Sequence, residues 1–329
     1  MKKLNALMVL TCAISFTSCE LDGETKTKTE YVEVQPESRT QNTRSVTSQY
    51  GELKINAGSE TLSSHITPWS GWWYPLRERE LFYNPNGDSP LEKYDNYVNN
   101  RYNKSSDARY YEETMIYNER EATWSGLCHA WAVASVLYKE PKTGTSMHGV
   151  DFTVGDKKAL LIKSYENVNL KPIIFGERND GGDHDPMDIY PDQFHRFVTK
   201  WLGEEKKPFL MDYDPSYPVW TVPVYNVKFD IKEESPTVMN VVAWVTLASP
   251  HVRDRNYVGT KHSVKKYTYN LIGEYNGNTF KVTDGEWTEG SITDHPDYVI
   301  AYPENVERST FNKELNLEVI DEITGVKKI

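Results

Sequence analysis

The sequence predicts an α+β domain, in which a helical lobe precedes an antiparallel sheet. Between residues 92 and 202, four segments carry apolar residues at helical spacing. Beyond Pro208, four segments instead alternate apolar and polar residues, as strands of a half-buried sheet do. Asn276 and Gly277, between the last two of these strands, are a strong signal for a β-hairpin.

The predicted helices have recognisable start and stop residues. The first follows a Ser-Pro start, the second follows Gly126, the third has Asp156 as its cap, and the fourth ends before Gly203. The second is apolar on almost every side, which indicates a buried helix. The four segments are Glu92–Asn103, Cys128–Tyr138, Asp156–Tyr165 and Asp192–Leu202.

The four predicted strands follow the helices along the chain, and this order of helices and then an antiparallel sheet is typical of an α+β domain. They are Val219–Phe229, Thr237–Leu247, Lys265–Ile272 and Asn278–Thr283.

The N-terminus has the features of a secretory signal peptide over residues 1–18. Lys2 and Lys3 precede a short apolar run, and two small residues then precede Cys19. A cysteine directly after the cleavage site resembles the lipidation site of bacterial lipoproteins. We therefore expect an exported protein whose Cys19 carries a lipid that anchors it to a bacterial membrane. The acidic residues after Cys19 resemble a pattern for cell-surface export in some bacteria, and a plain signal peptide cut nearby is the alternative.

Two further regions follow the signal peptide. Residues 19–64 are rich in Thr, Ser, Glu, Gln and Lys, so they bury too little apolar surface to offset the entropy of ordering. We expect them to form a flexible tether or a pro-segment. Residues 65–329, which open with a segment dense in aromatic residues, are expected to form one catalytic domain.

The charge of the chain limits its partners. The formal net charge is −11, and removal of the signal peptide takes away two lysines and no acid. An acidic surface argues against binding to nucleic acid or to anionic lipid through a basic patch. No later stretch reaches the roughly 18 apolar residues that a spanning helix needs. We expect membrane contact only through the lipid on Cys19.

The cysteine count isolates one thiol. Of the three cysteines, Cys12 leaves with the signal peptide and Cys19 carries the lipid, so Cys128 alone remains. Exported proteins usually pair the cysteines that they keep. A lone one is either a small buried hydrophobic residue or a nucleophile.

The segment around Cys128 favours the nucleophile. Gly126 ends a loop that leads into the predicted helix, so Cys128 lies in the first helical turn. A helix N-terminus lowers a thiol pKa and offers free N–H groups that hold an oxyanion. Gly126 is expected to allow close approach by a substrate backbone. A core cysteine on a buried helix is the alternative.

Several blocks of the chain resemble one family in their shared order. The blocks are Pro68–Pro75, Ser89–Tyr94, Trp124–Ala132, Val154–Leu161, Tyr190–His195, Val219–Tyr225, Gly285–Trp287 and His295–Tyr298. The third block resembles the nucleophile helix of papain-like proteases and transglutaminases. Together the blocks, which span about residues 65–300, are similar to the transglutaminase elicitor family.

The resemblance implies a papain-like or transglutaminase-type fold and a glutamine acyltransferase activity. A cysteine thiolate attacks a glutamine amide, ammonia leaves, and the acyl group passes from the thioester to a lysine amine or to water. The substrates implied are proteins or peptides with Gln and Lys side chains. A cysteine peptidase or amidase uses the same nucleophile, and a non-catalytic surface-binding lipoprotein is the other alternative.

A cysteine nucleophile needs a base and a group that orients it. His295 is our first choice for the base and Asp297 for its orienting group, because they lie in the strand-rich part where papain-like folds have the base. His262 is the second choice. Asp284 and Glu286 are rival orienting groups.

Two other histidines fit the base less well. His195 lies in a helical pattern beside Phe194 and is expected to be a packed or capping residue. His129 is expected to point away from the adjacent Cys128.

No cofactor is expected, although one loop could hold a cation. Asn179–Asp188 is rich in glycine and carboxylates, and alternating carboxylates are suitable ligands for Ca²⁺. The loop lacks the EF-hand pattern. An exposed acidic loop is the favoured interpretation and Ca²⁺ binding the alternative.

Overall fold

The computed structural model describes residues 12–16, 28–32, 46–177, 188–216 and 218–329. Cys19, most of the signal peptide and the acidic loop up to Met187 lie outside these ranges. Cys12–Phe16 (β1) and Lys28–Val32 (β2) form a separate antiparallel pair. Among the helices that the structure describes, none is long and apolar enough to cross a bilayer.

Most helices precede the long strands, and all four predicted helices are confirmed. Two of the helices, α3 and α6, continue directly into π-helical turns at Glu112–Ile116 and Thr199–Glu204. The α-helices are residues 46–50 (α1), Pro90–Tyr102 (α2), Ala108–Tyr111 (α3), Cys128–Leu137 (α4), Val154–Lys163 (α5), Pro191–Val198 (α6) and Leu317–Thr324 (α7).

The cap of α5 differs from the prediction by three residues. Thr153, and not Asp156, is the N-cap, and its hydroxyl accepts the Asp156 N–H at 3.2 Å. The Asp156 carboxylate in turn accepts the Thr153 N–H at 2.7 Å. Both residues thus form a capping box, in which an acid at the third helical position reaches back to the cap.

Nine of the other strands that the structure describes form one sheet in which every pairing is antiparallel. Their order is β3-β12-β11-β10-β9-β8-β13-β7, and β4 pairs with β9 beside β8. The predicted α+β fold is therefore confirmed. The strands are Lys54–Ile55 (β3), Gly58–Ser63 (β4), Ile174–Gly176 (β7), Phe209–Asp212 (β8), Thr221–Ser235 (β9), Val238–Ala248 (β10), His262–Asn276 (β11), Thr279–Trp287 (β12) and Tyr298–Ile300 (β13); a separate pair contains Thr145–Met147 (β5) and Val150–Phe152 (β6).

The predicted hairpin joins β11 to β12. Gly277 has a φ of +65°, the left-handed conformation that a tight hairpin turn requires and that glycine adopts without strain.

The domain begins earlier than the expected boundary at residue 65. β4 pairs with β9 over six residues, and β3 pairs with β12. Val46 and Leu53 are only 1% and 2% exposed. Part of the expected tether is thus folded against the sheet, although its composition is polar, because β4 needs backbone pairing rather than an apolar face.

The α4 helix lies between the sheet and α5 and is buried on every side, as its composition predicted. From Ala130 to Leu137 no side chain is measurably exposed. α4 packs on β9 on one side and on α5 on the other. This sandwich fixes the N-terminus of α4, and with it Cys128, against the start of β9.

A buried lysine on α5 ties two loops to this core. The ammonium of Lys158 donates to the carbonyls of Ser70 and Tyr257, each at 2.8 Å, and to a carboxylate oxygen of Glu140 at 2.6 Å. Glu140 also accepts the N–H of Gly259 at 2.9 Å. Since the Lys158 and Glu140 side chains are 3% and 9% exposed, the pair is shielded from water.

A second buried lysine binds the C-terminal region to the helical lobe. Lys163 is fully buried and pairs with the carboxylates of Glu112 and Glu166. Asn312 donates to Glu112 at 3.0 Å, and Thr310 donates to Glu166 at 3.0 Å. The polypeptide after β13 is thereby fixed to α5 by hydrogen bonds to charged groups.

Replacing Lys158 with methionine should destabilise the domain. The substitution keeps most of the side-chain volume but leaves the buried Glu140 carboxylate without its cation, which typically costs about 3–5 kcal/mol. Urea unfolding followed by circular dichroism measures the loss.

Lys228→Met is the matched control, because the Lys228–Asp230 pair is exposed and such pairs contribute about 1 kcal/mol or less. Equal losses for the two variants would contradict the role of Lys158.

Candidate active site

Cys128 is the first residue of α4, as predicted, but its thiol is covered. Its side chain is buried, with the residue only 5% exposed. Sγ lies 3.7 Å from the carbonyl oxygen of Val219 and also receives the backbone N–H of Thr221. The start of β9 therefore lies directly against the nucleophile.

The expected lowering of the thiol pKa does not occur in this conformation. Burial raises the pKa of Cys128 to about 11, and the nearby Asp212 carboxylate adds to the rise. The N–H groups of Thr221 and His129 act in the opposite direction, as the helix N-terminus should, but they are outweighed. The thiol is thus protonated at neutral pH.

Asp212 joins the site through the neighbouring strand β8. It pairs with Thr221 across β8 and β9, and its Oδ1 accepts the Trp220 N–H at 3.0 Å. On the far side, the Thr221 hydroxyl lies 3.5 Å from the Tyr298 hydroxyl of β13. A buried carboxylate and two hydroxyl groups therefore lie next to the segment that contacts Cys128.

Aromatic rings form a wall beside the nucleophile. The rings of Trp73 and Trp220 meet edge to face, with centroids 5.0 Å apart. The His251 ring lies 4.8 Å from the Trp220 ring and 6.4 Å from the Trp73 ring. Trp72 pairs with His251 through a backbone bridge, which fixes the loop after β10 to this wall. We call Trp72, Trp73, Trp220 and His251 the aromatic wall.

The space next to Gly126, where a substrate backbone was expected, is filled by the side chain of Trp73. A Cβ at this position would lie 2.3 Å from Cε3 of Trp73 and 2.9 Å from its carbonyl oxygen. The same carbonyl accepts the Leu127 N–H at 2.6 Å. The expected role in substrate approach is therefore replaced by close packing of Trp73 on the loop before Cys128.

His295, the first choice for the base, lies in a buried network of its own. Its Nδ1 is 2.9 Å from the Ser291 carbonyl oxygen and its Nε2 is 3.1 Å from Asp188 Oδ2. Its ring stacks on Trp287, with centroids 5.3 Å apart. Both partners accept hydrogen bonds, so each ring nitrogen of His295 faces an acceptor. In this conformation neither nitrogen is available to a thiol.

The carboxylate that binds the His295 ring is Asp188, whereas the predicted orienting group was Asp297. Asp297 is fully buried, and its backbone carbonyl accepts the Ile189 N–H. Of the two rivals, Asp284 accepts the N–H of Gly285 at 2.8 Å, and Glu286 accepts an amide hydrogen of Asn270 at 3.1 Å.

His262 is exposed at the start of β11, where it pairs with Ala248. Asp284 pairs with Ile272, ten residues further along β11, which is about 33 Å on an extended strand. The structure therefore does not bring this histidine and this acid together.

The other two histidines lie as expected. His195 is fully buried, stacks on Phe229 and has its Nδ1 2.8 Å from the Tyr269 hydroxyl. Burial lowers the pKa of His195 to about 3, so it stays neutral. His129 is directed to the Glu166 carbonyl, 2.9 Å from its Nε2, and burial lowers its pKa.

Sequence reasoning missed His251 and Asp212. His251 has the weak signal of following Ser-Pro at the end of a predicted strand, and Asp212 ends a short apolar run before an acidic turn. Neither pattern is specific. The pairing of β8 with β9 brings Asp212 to Thr221, and the bridge from Trp72 brings His251 to the ring of Trp220, next to the Val219–Thr221 segment that contacts Cys128.

Within the part of the chain that the structure describes, no cluster of His, Cys, Asp and Glu is suited to hold a metal ion. Of the predicted acidic loop, only Asp188 lies in this part, and it contacts His295.

Gly126→Ala should disturb the aromatic wall. The added methyl group requires the Trp73 ring to move, and overpacking of this kind costs about 1–3 kcal/mol. Denaturant unfolding measures the loss, and the tryptophan emission spectrum reports the displacement.

Gly290→Ala is the control, since a Cβ there meets no atom within 4 Å and should change stability by about 0.5 kcal/mol or less. Adding Trp73→Leu to Gly126→Ala should cost less than the two separate losses combined. Additive losses would argue against the direct contact.

Comparisons with known proteins agree with this fold. Residues 93–250 match the family model described as transglutaminase elicitor. The crystal structure of the GP42 transglutaminase from Phytophthora sojae is similar, with a TM-score of 0.64 over 87% of this chain and 97% of that chain. A comparison with curated protein sequences found no match.

At 17% identity, the similarity to the solved structure establishes the fold alone. The expected transglutaminase-type architecture is thereby confirmed. The family match covers Cys128, Asp212 and the start of β9, whereas Trp72, Trp73, His251 and His295 lie outside the matched residues. Residues 93–250 are therefore similar to the transglutaminase elicitor family, and the fold of the described chain is of the transglutaminase type.

Proposed function

We propose that the protein is an aminoacyltransferase that forms a thioester between Cys128 and the acyl group of a glutamine side chain. The observation that carries this proposal is the position of Cys128 at the N-terminus of α4, with backbone N–H groups directed at its sulfur. The family-model match over residues 93–250 and the shared fold add support. A lone thiol in this position has the surroundings that acyl transfer needs.

The chemistry follows from these groups. The thiol loses its proton to a base, and the sulfur attacks the amide carbon of glutamine. Backbone N–H groups at the start of α4 stabilise the negative oxygen of the tetrahedral intermediate. The C–N bond breaks, the base returns the proton to the leaving nitrogen, and ammonia departs. A lysine amine then attacks the thioester carbon, its surplus proton passes to the base, and the C–S bond breaks. The isopeptide is released, and the base returns the proton to the freed sulfur of Cys128.

For the base, the contacts favour His251 over the predicted His295. His251 is solvent-exposed, its ring lies against Trp220, and its ring nitrogens make no hydrogen bond within the described part of the chain. Burial lowers its pKa, which keeps it neutral and able to accept a proton near pH 7. Both ring nitrogens of His295 are already engaged.

The covered thiol requires a movement before reaction. With 5% exposure, Sγ has no room for an amide carbon at bonding distance. Displacement of the Val219–Thr221 backbone from Sγ would expose the sulfur and remove the main cause of its raised pKa. We propose that substrate binding against the aromatic wall brings this about.

The same burial favours a second function, namely non-catalytic binding at the cell surface. A neutral, covered cysteine is also what a purely structural residue looks like. A cysteine peptidase or amidase remains the third candidate, because it differs only in using water as the acceptor. Proteins or peptides with Gln and Lys side chains are the proposed partners of the transferase.

Amine incorporation separates these candidates. We expect the mature protein to attach a labelled primary amine to a glutamine-containing protein, and Cys128→Ala to abolish the reaction. His251→Ala should lower the rate by about a hundredfold or more, since a general base contributes roughly that much. The exposed His262→Ala is the control and should retain the rate.

Each other outcome has a definite meaning. Cleavage or deamidation without amine incorporation would identify a hydrolase. Loss of activity in a folded His295→Ala variant, with His251→Ala active, would return the base to His295. An inert protein, tested with and without Ca²⁺, would favour the binding function.

We also propose that the lipid on Cys19 anchors the protein to the outside of a bacterial membrane. Cys19→Ser should release it into the soluble fraction, and labelled fatty acid should no longer be incorporated. Cys12→Ser, within the signal peptide, is the control and should leave both properties unchanged. Continued labelling of the Cys19→Ser variant would contradict lipidation at this residue.

A further inference from the structure

We infer that a cavity beside the aromatic wall binds an acidic side chain of the peptide that carries the reactive glutamine. The inference rests on the proposed function and adds to it a preference for acidic substrates. We call this cavity, which Tyr74, Arg253 and Arg255 line, the arginine cavity.

The arginine cavity has the size and walls of a side-chain subsite. Its volume is about 410 Å³. Tyr83, Pro85 and Pro90 form one side of it, and the start of α5 forms another. Tyrosine and proline walls offer rigid apolar surface to the backbone of an extended peptide, while the guanidinium groups offer hydrogen-bond donors.

The charges in the cavity leave one cation available. Lys93 pairs with Asp156 at 2.7 Å, and Arg255 pairs with Glu80 at 2.6 Å, so both carboxylates are neutralised. Arg253 lines the same cavity, is exposed, and has no ion-pair partner among the described residues. The cavity is therefore positive on a chain whose net charge is −11, which favours an anionic ligand at this position.

The loop that carries both arginines is held in place before any ligand arrives. Nη1 of Arg255 donates to the Val252 carbonyl at 3.2 Å and to the Arg253 carbonyl at 2.6 Å. The Asn256 side chain accepts the Gly155 N–H at 2.9 Å. A Cβ on Gly155 would lie 2.8 Å from Arg255 Cβ, so loop and helix are in close contact. A preformed site loses less entropy when it binds.

The cavity is continuous with the site at Cys128. The Arg255 guanidinium lies 4.0 Å above the Trp72 ring, whose centroid is 5.8 Å from that of Trp73. Tyr74, next in the chain, has a φ of 43°, an uncommon conformation for a residue with a side chain. That conformation turns the chain from the wall that covers Gly126 into the cavity. A peptide bound at Cys128 can therefore extend across the wall to Arg253.

A carboxylate fits the arginine cavity better than a larger anion. The guanidinium of Arg253, which remains available, suits the planar, bidentate geometry of an Asp or Glu carboxylate. The neighbouring Glu80 and Asp156 would repel the second charge of a phosphate group. The ligand inferred is thus an Asp or Glu side chain that flanks the reactive glutamine.

The test compares binding of two matched peptides to the Cys128→Ala protein by titration calorimetry. One series carries a single Asp at one to four residues from the glutamine on either side, and the other has Asn in its place. The best Asp peptide should bind about tenfold more tightly than its Asn counterpart, as expected for a charge-assisted hydrogen bond. The difference should shrink as salt is raised.

Arg253→Gln and Arg253→Glu should remove this preference while thermal unfolding stays unchanged. Lys232→Glu is the control for charge reversal, because Lys232 is exposed on β9, far along the strand from Thr221, and it should keep the preference. Equal affinity for Asp and Asn peptides, or a preference that survives Arg253→Gln, would overturn the inference.

The measurement uses binding alone, so its outcome is independent of turnover. An Asp preference that depends on Arg253, in a protein that incorporates no amine, would support the subsite and defeat the transferase. Amine incorporation with no Asp preference would leave the transferase intact and defeat the subsite. A peptide with phosphoserine in place of Asp that binds more tightly still would also overturn the choice of carboxylate.

Discussion

The contact on which the site depends is the buried ammonium of Lys158. It lies 4.9 Å from the Trp69 ring centroid and binds the backbone of two loops that are distant in the sequence. One loop continues to Trp72 and Trp73, and the other follows His251. A buried cation of this kind needs all of its partners, because an unpaired one is costly. The hydrogen bonds from Lys158 to the two loop carbonyls, and its ion pair with Glu140, therefore fix both loops relative to α5.

The protonation state of the Cys128 thiol follows from the packing that begins at Lys158. α5 holds α4, α4 holds Cys128 against the start of β9, and the aromatic wall covers the loop at Gly126. Together these contacts exclude water from the sulfur of Cys128. The helix N-terminus would lower the thiol pKa on its own, but desolvation is larger, so the resting thiol is neutral. The helix N-terminus favours a reactive cysteine, and burial keeps the resting thiol neutral. Under the proposed function, a bound substrate displaces the cover.

The regular elements could be predicted because their periodicity was local. The four helices and four long strands carry their pattern within 15 residues or fewer, and Asn276-Gly277 sets the hairpin by its own conformational preference. The short strands were missed for the opposite reason. Gly58–Ser63 has a single large apolar residue, and it forms a strand only because β9 offers it backbone partners.

The candidate site also contains residues that the sequence could predict and residues that it could not. Cys128 could be found from the sequence because its neighbours Gly126 and the buried helix mark it. The base could not, because eight histidines have no local feature that separates them. His295 and Asp297 are the residue types of a catalytic pair, but the His295 ring contacts Ser291 and Asp188. Asp212 and His251 approach Cys128 only through strand order and a single bridge between distant segments.

The most direct measurement of this account is the rate of Cys128 alkylation by iodoacetamide as a function of pH, with Cys128→Ala as the blank. A thiol whose pKa burial raises to about 11 should react slowly at neutral pH and progressively faster up to about pH 10, without a plateau. A saturating glutamine peptide, which displaces the cover, should accelerate alkylation at pH 7 until its own reaction competes. A plateau below pH 8 in the free protein would contradict the account, because it would mean that the thiolate already exists at rest.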